Sequence, residues 1–135
     1  MRFLPGLILP LMLIGSAFSQ QKPLPALADP SVPQYNALAE VTLHGSVQSV
    51  QDYDCKVSGA KGGHITVKTE NGVLEVHVGP AQFMKDYDIH FTVGDAVTLV
   101  GDPVTFDGRK AMLVREIHRG QDRYTLRDKD GKPYW

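Results

Sequence analysis

HITVKTENGVLEVHVG, residues 64–79, holds two short alternating runs joined at Asn71-Gly72. Asn-Gly between such runs predicts a two-residue hairpin loop, because a type I′ turn needs positive φ at both central residues. That loop sets a register. Glu70 faces Val73, Lys68 faces Glu75, Val67 faces Val76, Thr66 faces His77 and Ile65 faces Val78. Side chains alternate along a strand, so Ile65, Val67, Leu74, Val76 and Val78 share one face. Thr66, Lys68, Glu75 and His77 share the other, with Lys68 and Glu75 as a complementary cross-strand pair. A slip by one residue would turn every apolar side chain to water.

The hairpin sits in a chain of strand-like segments. Val41, Leu43 and Val47 alternate with Thr42, His44, Ser46 and Gln48, the period of a half-buried strand. Gly45 falls on the apolar phase, where a glycine marks a bend or bulge. A loop is expected from Asp52 to Gly63. After the hairpin, Gly79-Pro80 ends a strand, and PAQFMKDYD spaces Phe83, Met84 and Tyr87 as a short helix does. FTVGDAVTLVGDPVTF returns to strand period, and Asp107-Gly108 is a second hairpin signal. In RKAMLVREIH two phases compete, Ala111 and Leu113 against Met112 and Val114, and a bulge would resolve them. A last strand runs through RYTLR, and DKDGKPYW closes on a turn at Asp130-Gly131. The expectation is an all-β, OB-like barrel of five to six strands, partly open, with one short helix between strands 3 and 4.

The residues that carry this layout are GSVQSV in the first strand, HITVKTENGVLEVHVGP, VGDAVTLVGDPV and LVREI. With them the chain resembles the small exported OB-fold proteins of bacteria over residues 39–135. LRDKDGKPYW is also similar to the ends of exported bacterial domains. The resemblance implies a fold, a compartment and a ligand-binding role. It implies no substrate and no binding residue.

Of the 135 residues, only the latter part is expected to fold. MRFLPGLILPLMLIGSAFSQQ has Arg2, an apolar run from Phe3 to Ile14, then Gly15, Ser16, Ala17 and Ser19. That is the plan of a secretory signal peptide over 1–19, with cleavage after Ala17 or Ser19. A membrane span needs about 20 apolar residues, more than this run supplies. No transmembrane segment is expected after cleavage, and the product is expected in the periplasm or secreted. Residues 20–38 carry Pro23, Pro25, Pro30 and Pro33 and read as an extended linker. Residues 39–135 form the domain, large enough for a modest core.

The net charge of −1 selects no partner. Glu70 to Asp107 holds seven acids and one base, and Arg109 to Lys132 eight bases and four acids. The second stretch makes a weakly anion-attracting face, or, with its interleaved acids, an ordinary solvated surface.

Catalytic signatures are missing. There is no GxSxG, HExxH or CxxC, and SGAKGG at 58–63 lacks the strand-to-helix setting of a phosphate loop. The chain is therefore expected to be no enzyme, to use no cofactor, and to be a monomer. Cys55 is the only cysteine, so no internal disulfide can form, and it reads as an incidental free thiol.

Two kinds of site remain. His44, His64 and His77 fall on the polar phase of neighbouring strands, and His64 is diagonal to His77 in the register above. With a third ligand from His44 or Glu75 they make a candidate zinc or copper site on the sheet surface. The alternative is a ligand face across strands 1–3, with His64, Thr66, Lys68, Glu75 and His77 bordered by Tyr53. Its expected occupant is a small polar ligand or a protein of the cell envelope, with an oligosaccharide as a further choice. Single-stranded nucleic acid fits less well, because that hairpin face has no aromatic stacking platform and carries Glu75.

Overall fold

The structure is a computed structural model and describes residues 29–135. The expected signal peptide at 1–19 and the first part of the expected linker lie outside the described residues. Six strands follow in order: β1 (Val41–Cys55), β2 (Ala60–Thr69), β3 (Gly72–Pro80), β4 (Ala96–Phe106), β5 (Arg109–Arg119) and β6 (Asp122–Thr125). One helix, α1 (Ala81–Asp86), lies between β3 and β4. The sheet order is β3-β2-β1-β4-β5-β6, and a parallel pairing of β3 with β5 closes a ring of hydrogen bonds. This is the all-β, OB-like layout expected from the sequence, with β6 added outside the ring on β5.

The inward faces fill the ring. Val47, Ile65, Val67, Leu74, Val76, Val78, Val97, Leu99, Met112, Val114 and Ile117 form one buried cluster with Leu126. Met84 of α1 joins Ile89 and Phe91 in that cluster, so the short helix expected from PAQFMKDYD packs on the core. Phe83 packs beside it, edge-on to Trp135 with ring centroids 5.5 Å apart.

The hairpin face assignment holds, but its register differs from the expected one by two residues. Ile65 pairs with Val76, Val67 with Leu74 and Thr69 with Gly72, so Glu70-Asn71 forms the tip. The reason lies in the turn. Of Asn71 and Gly72, only Gly72 takes a positive φ, of 104°. The Thr69 hydroxyl accepts from the Asn71 N–H at 3.2 Å and donates to the Gly72 carbonyl at 2.8 Å, which fixes that tip. A two-residue shift keeps the pleat, so the apolar set still faces inward. The expected Lys68–Glu75 pair does not form: Lys68 faces Val73, and Glu75 meets Arg109 at 3.6 Å. At Asp107-Gly108 both residues take positive φ, 50° and 72°, and the two-residue turn forms as expected.

One further expectation changes. The loop from Asp52 to Gly63 is mostly strand: β1 runs on to Cys55 and pairs Asp52 with Gly63, Tyr53 with Gly62 and Asp54 with Lys61. In β5 neither phase loses, because Ala111, Met112, Leu113 and Val114 are all buried. Met112 and Val114 face the central cluster. The expected bulge is present: Val100 pairs with Glu116 and Gly101 with Val114, so Arg115 is the extra residue on β5. A Cβ at Gly101 would stand 2.8 Å from the Val114 Cα, so the two strands touch there.

Residues 29–39 lie against this body. The Asn36 N–H donates to buried Asp102 at 2.8 Å. Tyr35 and Trp135 both meet Arg127, whose guanidinium carbon is 5.7 and 5.0 Å from the two ring centroids. Glu40 receives two 2.7 Å hydrogen bonds from Arg115, and Arg115 also meets Glu116 at 3.0 Å. Those bonds, with one from Tyr35, hold the Glu40 carboxyl below its usual value against the opposing effect of burial. A carboxyl depressed in the folded state stabilises the fold above its unfolded value near 4.5, and that stability is lost as pH falls below it. We expect Arg115→Met to lower unfolding stability at neutral pH by about 1–3 kcal/mol in a urea titration. The difference from the parent should shrink as the pH is taken below 4.

Candidate metal centre

Three elements bring one cluster together. Cys55 ends β1, His64 lies on β2 and His77 on β3. The two-residue shift of the hairpin register sets His64 directly opposite His77, where the expected register has them diagonal, and a bulge follows at once beyond that pair. The His64 Nε2 lies 3.0 Å from the His77 Nδ1, and the Cys55 Sγ lies 3.4 Å from that same nitrogen. One ligating atom from each residue falls within 4.8 Å of the others.

The cluster is buried, which corrects the reading of His64 and His77 as solvated face residues. His64 is 3% exposed, His77 2% and Cys55 9%. The cover comes from distant parts of the chain. Tyr53 stacks on His64 at 3.8 Å with an interplanar angle of 7°. Phe106 meets His77 edge-on at 5.5 Å, and buried Leu113 is the partner of His77 across the parallel seam. Gly62 lies opposite Tyr53, and a Cβ there would meet the His64 Cε1 at 3.1 Å. A side chain at Gly62 would press on the imidazole.

The other sequence candidates go elsewhere. His44 is exposed on β1 and bonds Thr98 at 3.0 Å, so it does not join the cluster. Glu75 is half-buried and meets Arg109, so it supplies no ligand either. Thr66 and Glu75 face each other across β2–β3 and, with Tyr53, Gln51 and Arg109, line a surface cleft of about 390 Å³. Lys68 is exposed outside that cleft. Cys55 is the member of the cluster that sequence reasoning missed. Its signal was there: at the end of a long first strand it lies beside the start of the strand that carries His64.

The protonation chemistry of the cluster is constrained. Burial lowers the pKa of both imidazoles, opposed at His64 by the Gly62 carbonyl and Asp52. His77 is lowered to about 4 by burial, with His64, Arg109 and Arg127 adding repulsion. Both rings are then neutral at pH 7, and each carries one N–H. If the His64 Nε2 donates to His77, the His77 N–H sits at Nε2. If the His77 Nδ1 donates, the His64 N–H sits at Nδ1. Those two outer nitrogens are buried with no hydrogen-bond partner. Either tautomer therefore strands one buried N–H, a cost of about 1–3 kcal/mol. The inner side has the opposite character: a thiol and two ring nitrogens converge on one point, as the ligands of a metal ion do.

Residues 39–124 match the model of the MamS/MamX magnetosome protein family. The chain belongs to the MamS/MamX family. The matched span includes Cys55, His64 and His77 and ends within β6. Likeness to the small exported OB-fold proteins remains one of strand layout. No curated protein matches this MamS/MamX-family chain. Among its described residues no helix is long and apolar enough to cross a membrane.

The lowered His77 pKa gives a prediction for the metal-free protein. A histidine whose folded value lies below the unfolded 6.5 binds its proton first in the unfolded chain. Stability should therefore fall as pH drops from about 6.5 towards 4, by up to about 1.4 kcal/mol per pH unit for each such proton. Urea titrations at a series of pH values should show that slope, and His77→Gln should flatten it.

Proposed function

We propose that this MamS/MamX-family chain is an exported, non-enzymatic module that binds one transition-metal ion through Cys55, His64 and His77. The observation that carries the reading is the convergence of three buried ligating atoms, two of them 3.0 Å apart and the third at 3.4 Å. A thiolate and imidazoles are ligands for zinc and copper, whereas calcium and magnesium take oxygen. Cys55 also lines a surface cleft of about 480 Å³ with Asp29, Asp54, Lys56 and Gly59. The leader expected at residues 1–19 supports export, and the family's name supports action at the magnetosome. The missing catalytic signatures support binding over turnover.

The second reading is a small polar ligand. It rests on the cleft between Thr66, Glu75, Tyr53 and Arg109, whose side chains offer hydroxyl, carboxylate and guanidinium groups. Tyr53 is shared with the cluster, so a ligand there would press on His64.

Titration of the reduced, metal-free protein with Zn²⁺ and with Cu⁺ tests the metal reading. We expect one equivalent of at least one ion to bind at micromolar protein. Cys55→Ser and His77→Ala should each weaken it by roughly a hundredfold or more, while His44→Ala leaves it unchanged. Unchanged curves for His77→Ala, or no binding of either ion, would discard it.

A further inference from the structure

We propose that the Cys55–His64–His77 centre is a copper(I) site that discriminates against zinc. The inference rests on the metal reading above and narrows it to one ion. Coordination number is the first argument. Among the described residues no fourth His, Cys, Asp or Glu joins the three. Structural zinc takes four protein ligands and zinc held by three adds a water, whereas trigonal His₂Cys sets are found in copper sites, and thiolate suits Cu(I) as well as zinc.

Charge is the second argument. One thiolate neutralises Cu⁺ and leaves Zn²⁺ with a residual positive charge. A residual charge is expensive in a site walled by Tyr53, Phe106 and Leu113. The surrounding charges make it worse. Arg109 and Arg127 both act on His77, against Asp52 acting on His64. Glu75 partly offsets Arg109 at 3.6 Å. Arg127 is 6% exposed and has no carboxylate within ion-pair distance among the described residues, so its charge is uncompensated. Its terminal nitrogen donates to the Gly131 carbonyl and its Nε has no partner.

Binding needs no redox step. The Cys55 S–H gives its proton to solvent as the Cu–S bond forms. His64 Nε2 and His77 Nδ1 each donate a lone pair, and copper enters and stays as Cu(I). The proton shared between those two inner nitrogens moves to the outer nitrogen of its own ring, so that both outer nitrogens then carry N–H.

The test is competition on the full chain under anaerobic reductant. Cu⁺ is delivered as its bicinchoninate complex, and Zn²⁺ is titrated to millimolar against a pyridylazo chromophore. The expected result is one Cu⁺ per chain taken from bicinchoninate and no zinc held at micromolar concentration, a preference of roughly a thousandfold or more. Cys55→Ser, checked for folding by circular dichroism, should release the copper to bicinchoninate. Arg109→Glu replaces an exposed cation near the centre and should raise the weak zinc affinity on the order of tenfold. Zinc held as tightly as copper, or a zinc affinity indifferent to Arg109→Glu, overturns the copper assignment and leaves the metal reading standing. Failure of both ions to bind removes both.

Discussion

The parallel seam between β3 and β5 is the contact on which the rest of the structure depends. Only three residue pairs make it, Glu75 with Ala111, Val76 with Met112 and His77 with Leu113. Those pairs turn an open sheet into a ring, so Val76 and Met112 become core together. They also change the meaning of the outer face. In an isolated hairpin His77 would stand in water. Beside Leu113, and under Phe106 at the end of β4, it is buried. Closure thus makes two interiors: the apolar centre of the ring, and a small pocket of polar side chains outside it.

The two interiors were not equally legible in the sequence. The ring centre was, because strict alternation in ITVKT and VLEVHV can satisfy only one face. The register was not, because Asn-Gly admits more than one turn. Asp107-Gly108 adopts positive φ at both residues, whereas at Asn71-Gly72 the Thr69 hydroxyl favours a tip one residue earlier with a single left-handed glycine. The face assignment survived only because the shift was even. The outer pocket was hidden for a different reason. Its walls come from Tyr53, Phe106 and Leu113, spread over some sixty residues, and no local pattern reveals burial made by distant groups. Cys55 was obscured because Asp52, Asp54, Gly59, Gly62 and Gly63 have the composition of a loop. They pair as strand because the two glycines tolerate close neighbours: a Cβ on Gly63 would run into the Met84 sulfur, and one on Gly62 into Ser58 and the His64 ring.

That pocket is an odd thing for a small domain to keep. Three apolar residues of similar volume would pack there without stranding an imidazole N–H, and local sequence rules would be better obeyed. Departures of this kind concentrate at functional sites, because they lower stability and persist only where something compensates. Here the compensation has a natural form. An ion that binds the folded chain and not the unfolded one adds RT ln(1 + [L]/Kd) to stability, about 2.7 kcal/mol at a hundredfold excess over Kd. That is comparable with the penalty of one stranded buried N–H, so occupancy and folding would be linked.

The same reasoning explains why the ligands sit on strands. A metal centre on loops can relax when empty, and its selectivity then relaxes with it. Cys55, His64 and His77 are held by ladder pairings to Ala60, His77 and Leu113, and the His64 ring is clamped by Tyr53. The ring of strands therefore fixes the spacing of the three ligating atoms before any ion arrives. A rigid three-atom set cannot recruit a fourth ligand by moving a loop. In the metal reading, discrimination between ions would then be decided by coordination number and by the charge the buried shell tolerates, both of which closure of β3 on β5 imposes.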